Sequence, residues 1–272
     1  MRKTRLKFDP SFYAMTLLAI MLGYLNEYFI FALTIIVHEL GHLTMAFFYK
    51  WDLVELKFFA FGGVMEFKGE LNKSNKEDLI ISSGGILFNI IMLIVLYVLR
   101  NNTVSAIHNN LINYAIWAQL FIIIFNSIPL PPLDGSRIVH AILCQFIPYK
   151  KVLQIVKGMN SILITVLMVM TFLYDIRQIF IVVIFLSYST IKYNKEIDYL
   201  FQRFLLQKRM YINVGLSRKI VEISNDYWEN KIYRGYSNLF QVKNRLYDEM
   251  KYLKLKYEEK EALFVDASIK SD

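Results

Sequence analysis

The chain has 272 residues, 56% of them hydrophobic, with a mean hydropathy of +0.36 and a formal net charge of +8. That apolar share exceeds the roughly 45–50% of ordinary soluble domains, which excludes a plain soluble globule. The positive charge does not indicate direct nucleic-acid binding, because the basic residues of the apolar portion flank hydrophobic runs, where they orient a membrane protein. The single Cys144 excludes an intrachain disulfide.

In chain order, Met1-Arg-Lys-Thr-Arg precedes an apolar stretch with no small-residue cleavage site, which reads as a retained first span and not a removed signal peptide. Six segments are long enough, or nearly so, to cross about 30 Å of hydrocarbon. They run over Phe12–Tyr28, Ile30–Tyr49, Leu79–Leu99, Leu111–Ile128, Val156–Tyr174 and Ile176–Tyr193. Arg2, Lys3, Arg5 and Lys7 precede the first, Lys50 to Lys76 follow the second, and Arg137, Lys150, Lys151 and Lys157 follow the fourth. The alternate loops carry only Arg100 and Arg177. With six spans every basic cluster falls on one side, and positive-inside bias makes that side, with both termini, cytoplasmic.

Between the second and third spans, Leu56-Lys-Phe-Phe-Ala-Phe-Gly-Gly-Val-Met-Glu-Phe reads as two short strands around a Gly62-Gly63 turn, a hairpin on or in the membrane. The expected fold is therefore an all-α polytopic membrane protein of about six helices with a membrane-associated β-hairpin. Composition turns charged after residue 195, which divides the chain into a membrane domain, 1–195, and a small α+β cytosolic tail domain, 196–272.

The second span contains His38-Glu39-Leu-Gly-His42. The two histidines lie one helical turn apart, so both imidazoles leave one face and can grip one zinc ion, with Glu39 beside them as general base. Two histidines and a glutamate inside an apolar helix are costly, and such residues normally mark function; the alternative is a polar cluster that only glues helices together. Catalytic zinc takes three protein ligands and leaves a fourth position open. Asp134 is the carboxylate chosen as third ligand: Pro129, Pro131 and Pro132 unwind the chain just before it, and an unwound segment can turn a carboxylate toward a metal. Glu66 is the competing ligand. His108, in an expected external loop, and His140 are weaker candidates.

These residues resemble the site-2 protease family of intramembrane zinc metalloproteases. The motifs are His38-Glu-Leu-Gly-His42, then Ser83-Gly-Gly-Ile-Leu-Phe-Asn89, then Asn126…Pro129…Pro132-Leu-Asp134-Gly135, in the family's order. Ser136 departs from the pattern, since many relatives carry a second glycine there. The resemblance implies one Zn²⁺ held by His38, His42 and Asp134, Glu39 activating water, and Asn126 with Asn89 orienting substrate or stabilising an oxyanion.

The short chain with its early zinc helix and small tail also resembles the family's sporulation branch, the stage IV sporulation protein FB type. That branch implies a membrane-associated pro-sigma factor as substrate, in a bacterial inner or forespore membrane. Further partners expected on this reading are membrane inhibitor or regulatory proteins and a second copy of the chain. The tail's Lys231–Val242 run partly resembles a single cystathionine-β-synthase-type (CBS) module, which makes a nucleotide a candidate ligand; a plain docking domain is the equal alternative. Two other classes stand beside the protease: a zinc transporter using the same three residues, and a non-catalytic binding relative.

Overall fold

Asp9 opens the first helix by accepting the Ser11 N–H at 3.1 Å, with Pro10 at the first helical position. The computed structural model describes residues 5–59, 62–102, 106–174, 180–210, 216–223, 228–242 and 245–255. Helix α1 (Pro10–Met21) stops at Leu22, and Gly23, at φ +77°, breaks the chain before α2 (Leu25–Phe48). The expected first span, Phe12–Tyr28, is therefore divided. Twelve residues of helix reach only about 18 Å, short of the hydrocarbon thickness.

Helices α3 (Asn75–Asn102), α4 (Ala106–Ser127), α5 (Asp134–Phe146), α6 (Tyr149–Leu173) and α7 (Phe180–Met210) follow. Among the described residues four segments are long and apolar enough to cross a membrane: α2, most of α3, Asn110–Ser127 of α4, and α6. The count of six is not reached on these terms. Beside the short α1, the apolar start of α7 runs directly into Lys192, Lys195 and Glu196. Residues 176–179 of the expected sixth span lie outside the described residues.

Strands β2 (Leu53–Phe59) and β3 (Gly62–Phe67) form the expected antiparallel hairpin, pairing Phe58 with Gly63. Residues 60–61 lie outside the described residues, and Gly62 and Gly63 belong to β3 itself. The N-terminal β1 (Arg5–Phe8) adds a parallel strand to β2, tied by Lys7–Glu55 at 2.6 Å and Lys57–Asp9 at 2.8 Å.

After α7 come β4 (Arg218–Ile223), β5 (Ser237–Val242) and β6 (Arg245–Asp248), a second sheet in that order, with β4 and β5 parallel. A helical turn follows over 249–255. Phe240, Trp228 and Leu253 of this region share one buried core with Val152 and Val156 of α6 and Phe201, Phe204 and Leu205 of α7. Helix α7 runs through position 196, where the composition changes.

The most extensive helix contact among the described residues joins α2 and α3. A Cβ on Gly41 would stand 2.3 Å from the Gly84 carbonyl oxygen, and one on Gly84 would stand 2.7 Å from that of Gly41. Small residues on both helices let the backbones touch, which is how helices associate where burial of apolar surface gives little. Gly41→Val is expected to force α2 from α3 and cost about 3 kcal/mol or more. Gly158→Ala, in α6 with no atom within 4 Å of the added carbon, is expected to leave stability unchanged or slightly raised. Thermal unfolding of the detergent-purified variants checks both.

Candidate metal centre

On α2 the buried residues are Thr34, His38, Glu39, Gly41, His42 and Ala46, a stripe at helical spacing. The polar members of that stripe meet the start of α5. Helix α4 ends at Ser127, the prolines keep 128–133 non-helical, and Asp134 begins α5, where the helix N-terminus favours a carboxylate. Gly135 makes that return possible, because a Cβ there would lie 2.5 Å from the carbonyl oxygens of Ser127 and Ile128.

Asp134 Oδ2 stands 2.8 Å from His38 Nε2 and 3.0 Å from His42 Nε2, and the two imidazole nitrogens are 3.2 Å apart. Across the ring, His42 Nδ1 lies 2.7 Å from the Ile81 carbonyl oxygen on α3. A carbonyl can only accept, so Nδ1 carries the proton, and Nε2 is turned to Asp134 and His38. Ring nitrogens and a carboxylate oxygen aimed at one point repel one another unless a cation, proton or metal, sits between them. One ligand atom from each of the three residues lies within 4.8 Å of the others, so the group can hold a metal ion.

The donor set fits zinc. Around a tetrahedral ion with bonds of about 2.0–2.1 Å, neighbouring donors stand about 3.3 Å apart, so a small outward movement of these three would seat it. The Ile81 carbonyl fixes the orientation of His42 in the way metal-ligating imidazoles are usually held. Gly85 leaves room for both rings: a Cβ there would meet His42 Nε2 at 2.4 Å and His38 Cε1 at 2.6 Å.

Glu39 is buried beside the histidines, and its Oε1 accepts the Gly63 N–H from β3 at 2.8 Å. A Cβ on Gly63 would stand 2.7 Å from the Glu39 carboxyl carbon, so this glycine serves the approach of strand to carboxylate and not a turn. The donors, Glu39, Gly63 and Asn126 line a cavity of about 540 Å³ that extends past α5 to Tyr188 and Lys192 of α7.

The remaining candidates lie elsewhere. Asn126 lines the cavity with its amide donating to Ile122 O at 3.1 Å. Asn89 is fully buried in α3 and does not line the cavity; its amide atoms have no hydrogen-bond partner among the described residues. Glu66 pairs with Arg203 of α7 at 2.7 Å instead of joining the histidines. His140 is half-buried, with Nδ1 3.4 Å from Arg234 and 3.8 Å from Cys144 Sγ. Burial, with the Arg234 charge, holds it down to about 3, so it is neutral. The His108 side chain lies outside the described residues. The sequence gives no local signal for Ile81 or for Gly63 as the neighbour of Glu39, because both contacts join residues far apart in the chain.

An apolar helix bundle with two histidines, one aspartate and an adjacent buried glutamate defines a metallopeptidase type of site. The comparisons agree. Residues 27–103 match Peptidase family M50. That match contains His38, Glu39, His42 and Gly85 and stops short of Asp134. Over 202 residues the chain is 24% identical to stage IV sporulation protein FB of Bacillus subtilis (strain 168), covering 73% of this chain and 69% of that protein. Among solved structures, the site-2 protease from Methanocaldococcus jannaschii shares the fold with a TM-score of 0.56 at 20% identity, over 71% of this chain and 92% of that one. Residues 27–103 thus carry a Peptidase family M50 domain, and the chain is similar to a site-2 protease in fold.

Gly85→Ala is expected to push both rings off the metal position and lower bound zinc at least tenfold, an effect of the size seen when a ligand's support is lost. Zinc per chain, measured by atomic absorption on membrane-extracted protein, checks this.

Proposed function

We propose that this protein is an intramembrane zinc endopeptidase that hydrolyses a peptide bond in or near the membrane of a membrane-associated substrate. The observation that carries the reading is the convergence of His38, His42 and Asp134 on one point, with Glu39 buried beside them at the wall of a cavity. His38, His42 and Asp134 would hold the zinc, which when bound polarises a carbonyl and acidifies water.

The protein's own residues do the rest. Glu39 takes the proton from the attacking water and returns it to the leaving amine. Gly63 anchors one carboxylate oxygen of Glu39 through its N–H, which leaves the other free to act. Asn126 keeps its amide oxygen available on the cavity wall to orient an extended backbone. A helical substrate hides its carbonyls in hydrogen bonds, so it must be extended to react. The edge of β3, beside Glu39, offers a strand to pair with.

The proposed substrate is a membrane-associated pro-sigma factor, a choice supported by the likeness to a protein of sporulation. The basic clusters support both termini, and a tail from 196 onward, on the cytoplasmic side. For the tail we propose docking, since its sheet shares a core with α6 and α7; no described contact supports a nucleotide there.

Glu39→Gln is expected to retain zinc and lose about 10²–10⁴-fold in cleavage of a single-span or pro-sigma substrate. Asp134→Ala is expected to lose both zinc and cleavage. Gly63→Ala, which displaces the Glu39 carboxylate, is expected to retain zinc and cleave more slowly. Reconstituted cleavage assays run beside zinc analysis separate the three, and full cleavage by Glu39→Gln would sink the general-base role.

A further inference from the structure

Beyond the donors, one carboxylate connects the tail to the metal centre. Asp78, in the first turn of α3, is buried and gripped from both sides. Its Oδ1 accepts from Arg137 Nη2 of α5 at 3.0 Å, and its Oδ2 accepts from Arg234 Nη2 of the tail at 2.7 Å.

Asp78 and Arg137 each sit one helical turn from a metal-centre contact. Arg137 follows Asp134 by three residues on α5, and Ile81, whose carbonyl orients His42, follows Asp78 by three on α3. Asp78 thus ties the start of α5, which carries one donor, to the turn of α3 that aims another.

Arg234 is built into this junction and not laid over it. It is buried, and its Nη2 also donates to the Glu70 carbonyl at 3.1 Å while Nη1 stands 3.4 Å from neutral His140. Asn75 Nδ2 donates to the Arg234 carbonyl at 2.8 Å. Gly235, at φ +72°, permits the approach, since a Cβ there would stand 2.6 Å from the Asn75 side chain. Removing a single partner from such a buried network leaves the others uncompensated, and the surviving charges must rearrange.

We infer that Arg234 of the tail is a positioning residue for the metal centre, acting through Asp78 and Arg137 to hold Asp134 and His42 in their donor geometry. The tail thereby sets how tightly the centre holds its ion. This rests on the reading of His38, His42 and Asp134 as zinc ligands.

The test is zinc affinity of the full-length protein in detergent, by competition with a fluorescent chelator, with folding followed separately by circular dichroism and elution volume. Arg234→Met is expected to bind zinc about tenfold more weakly while remaining folded, on the scale of lost outer support. Arg234→Lys, which keeps a charge and one donor for Asp78, is expected to recover part of that loss. In the pair Asp78→Asn with Arg234→Met, the losses are expected not to add.

Gly235→Ala, which displaces Arg234 without removing a charge, is expected to weaken zinc binding too, and it carries the comparison if Arg234→Met does not fold. Wild-type affinity in folded Arg234→Met, or in Gly235→Ala, would overturn the positioning role alone. A wild-type chain that binds no zinc would defeat the metal-centre reading and this inference with it.

Discussion

Three groups that water would solvate strongly, His38, His42 and Asp134, meet inside an apolar bundle, and their mutual arrangement sets the terms for the packing around them. Isolated, each would be costly to bury; together, with a cation between them, their lone pairs are satisfied. The backbone contact of Gly41 with Gly84 brings α3 close enough for Ile81 to hold His42, and Gly85 keeps that contact from closing the space the rings need. The proline segment and Gly135 return the chain so that Asp134 arrives from the other side. Small residues here are the means by which two helices and an unwound segment share one point.

The same economy governs Glu39. The general-base role proposed for Glu39 requires a carboxylate both held and accessible, and the β3 edge supplies one N–H to one oxygen while a cavity lies open beside it. A strand that positions the base is also placed to pair with an extended substrate, so recognition and proton transfer would draw on one structural element.

The pairing of His38 with His42 was legible because one helical turn separates them and polar residues in an apolar span are costly. Asp134 was legible through the prolines that precede it. Less could be read where contacts are long in sequence. Asp78 and Arg234 look like solvated charges in the linear chain, yet they form a buried ion pair 156 residues apart, which the partly exposed Arg137 joins. Gly62-Gly63 looked like a turn because glycine pairs usually are; both lie in β3, where Glu39 takes the space beside Gly63. The parallel pairing of β1 with β2 leaves no mark in local patterning. Hydropathy alone does not register the break at Gly23 that divides the expected first span between α1 and α2.

The central claim is that two imidazoles and one carboxylate make the metal centre, and zinc K-edge absorption of the full-length detergent-purified protein tests it most directly. The account predicts a first shell of nitrogen and oxygen at about 2.0–2.1 Å with the outer scattering of two imidazoles. A sulfur shell near 2.3 Å, a third imidazole, or protein without stoichiometric zinc would contradict it.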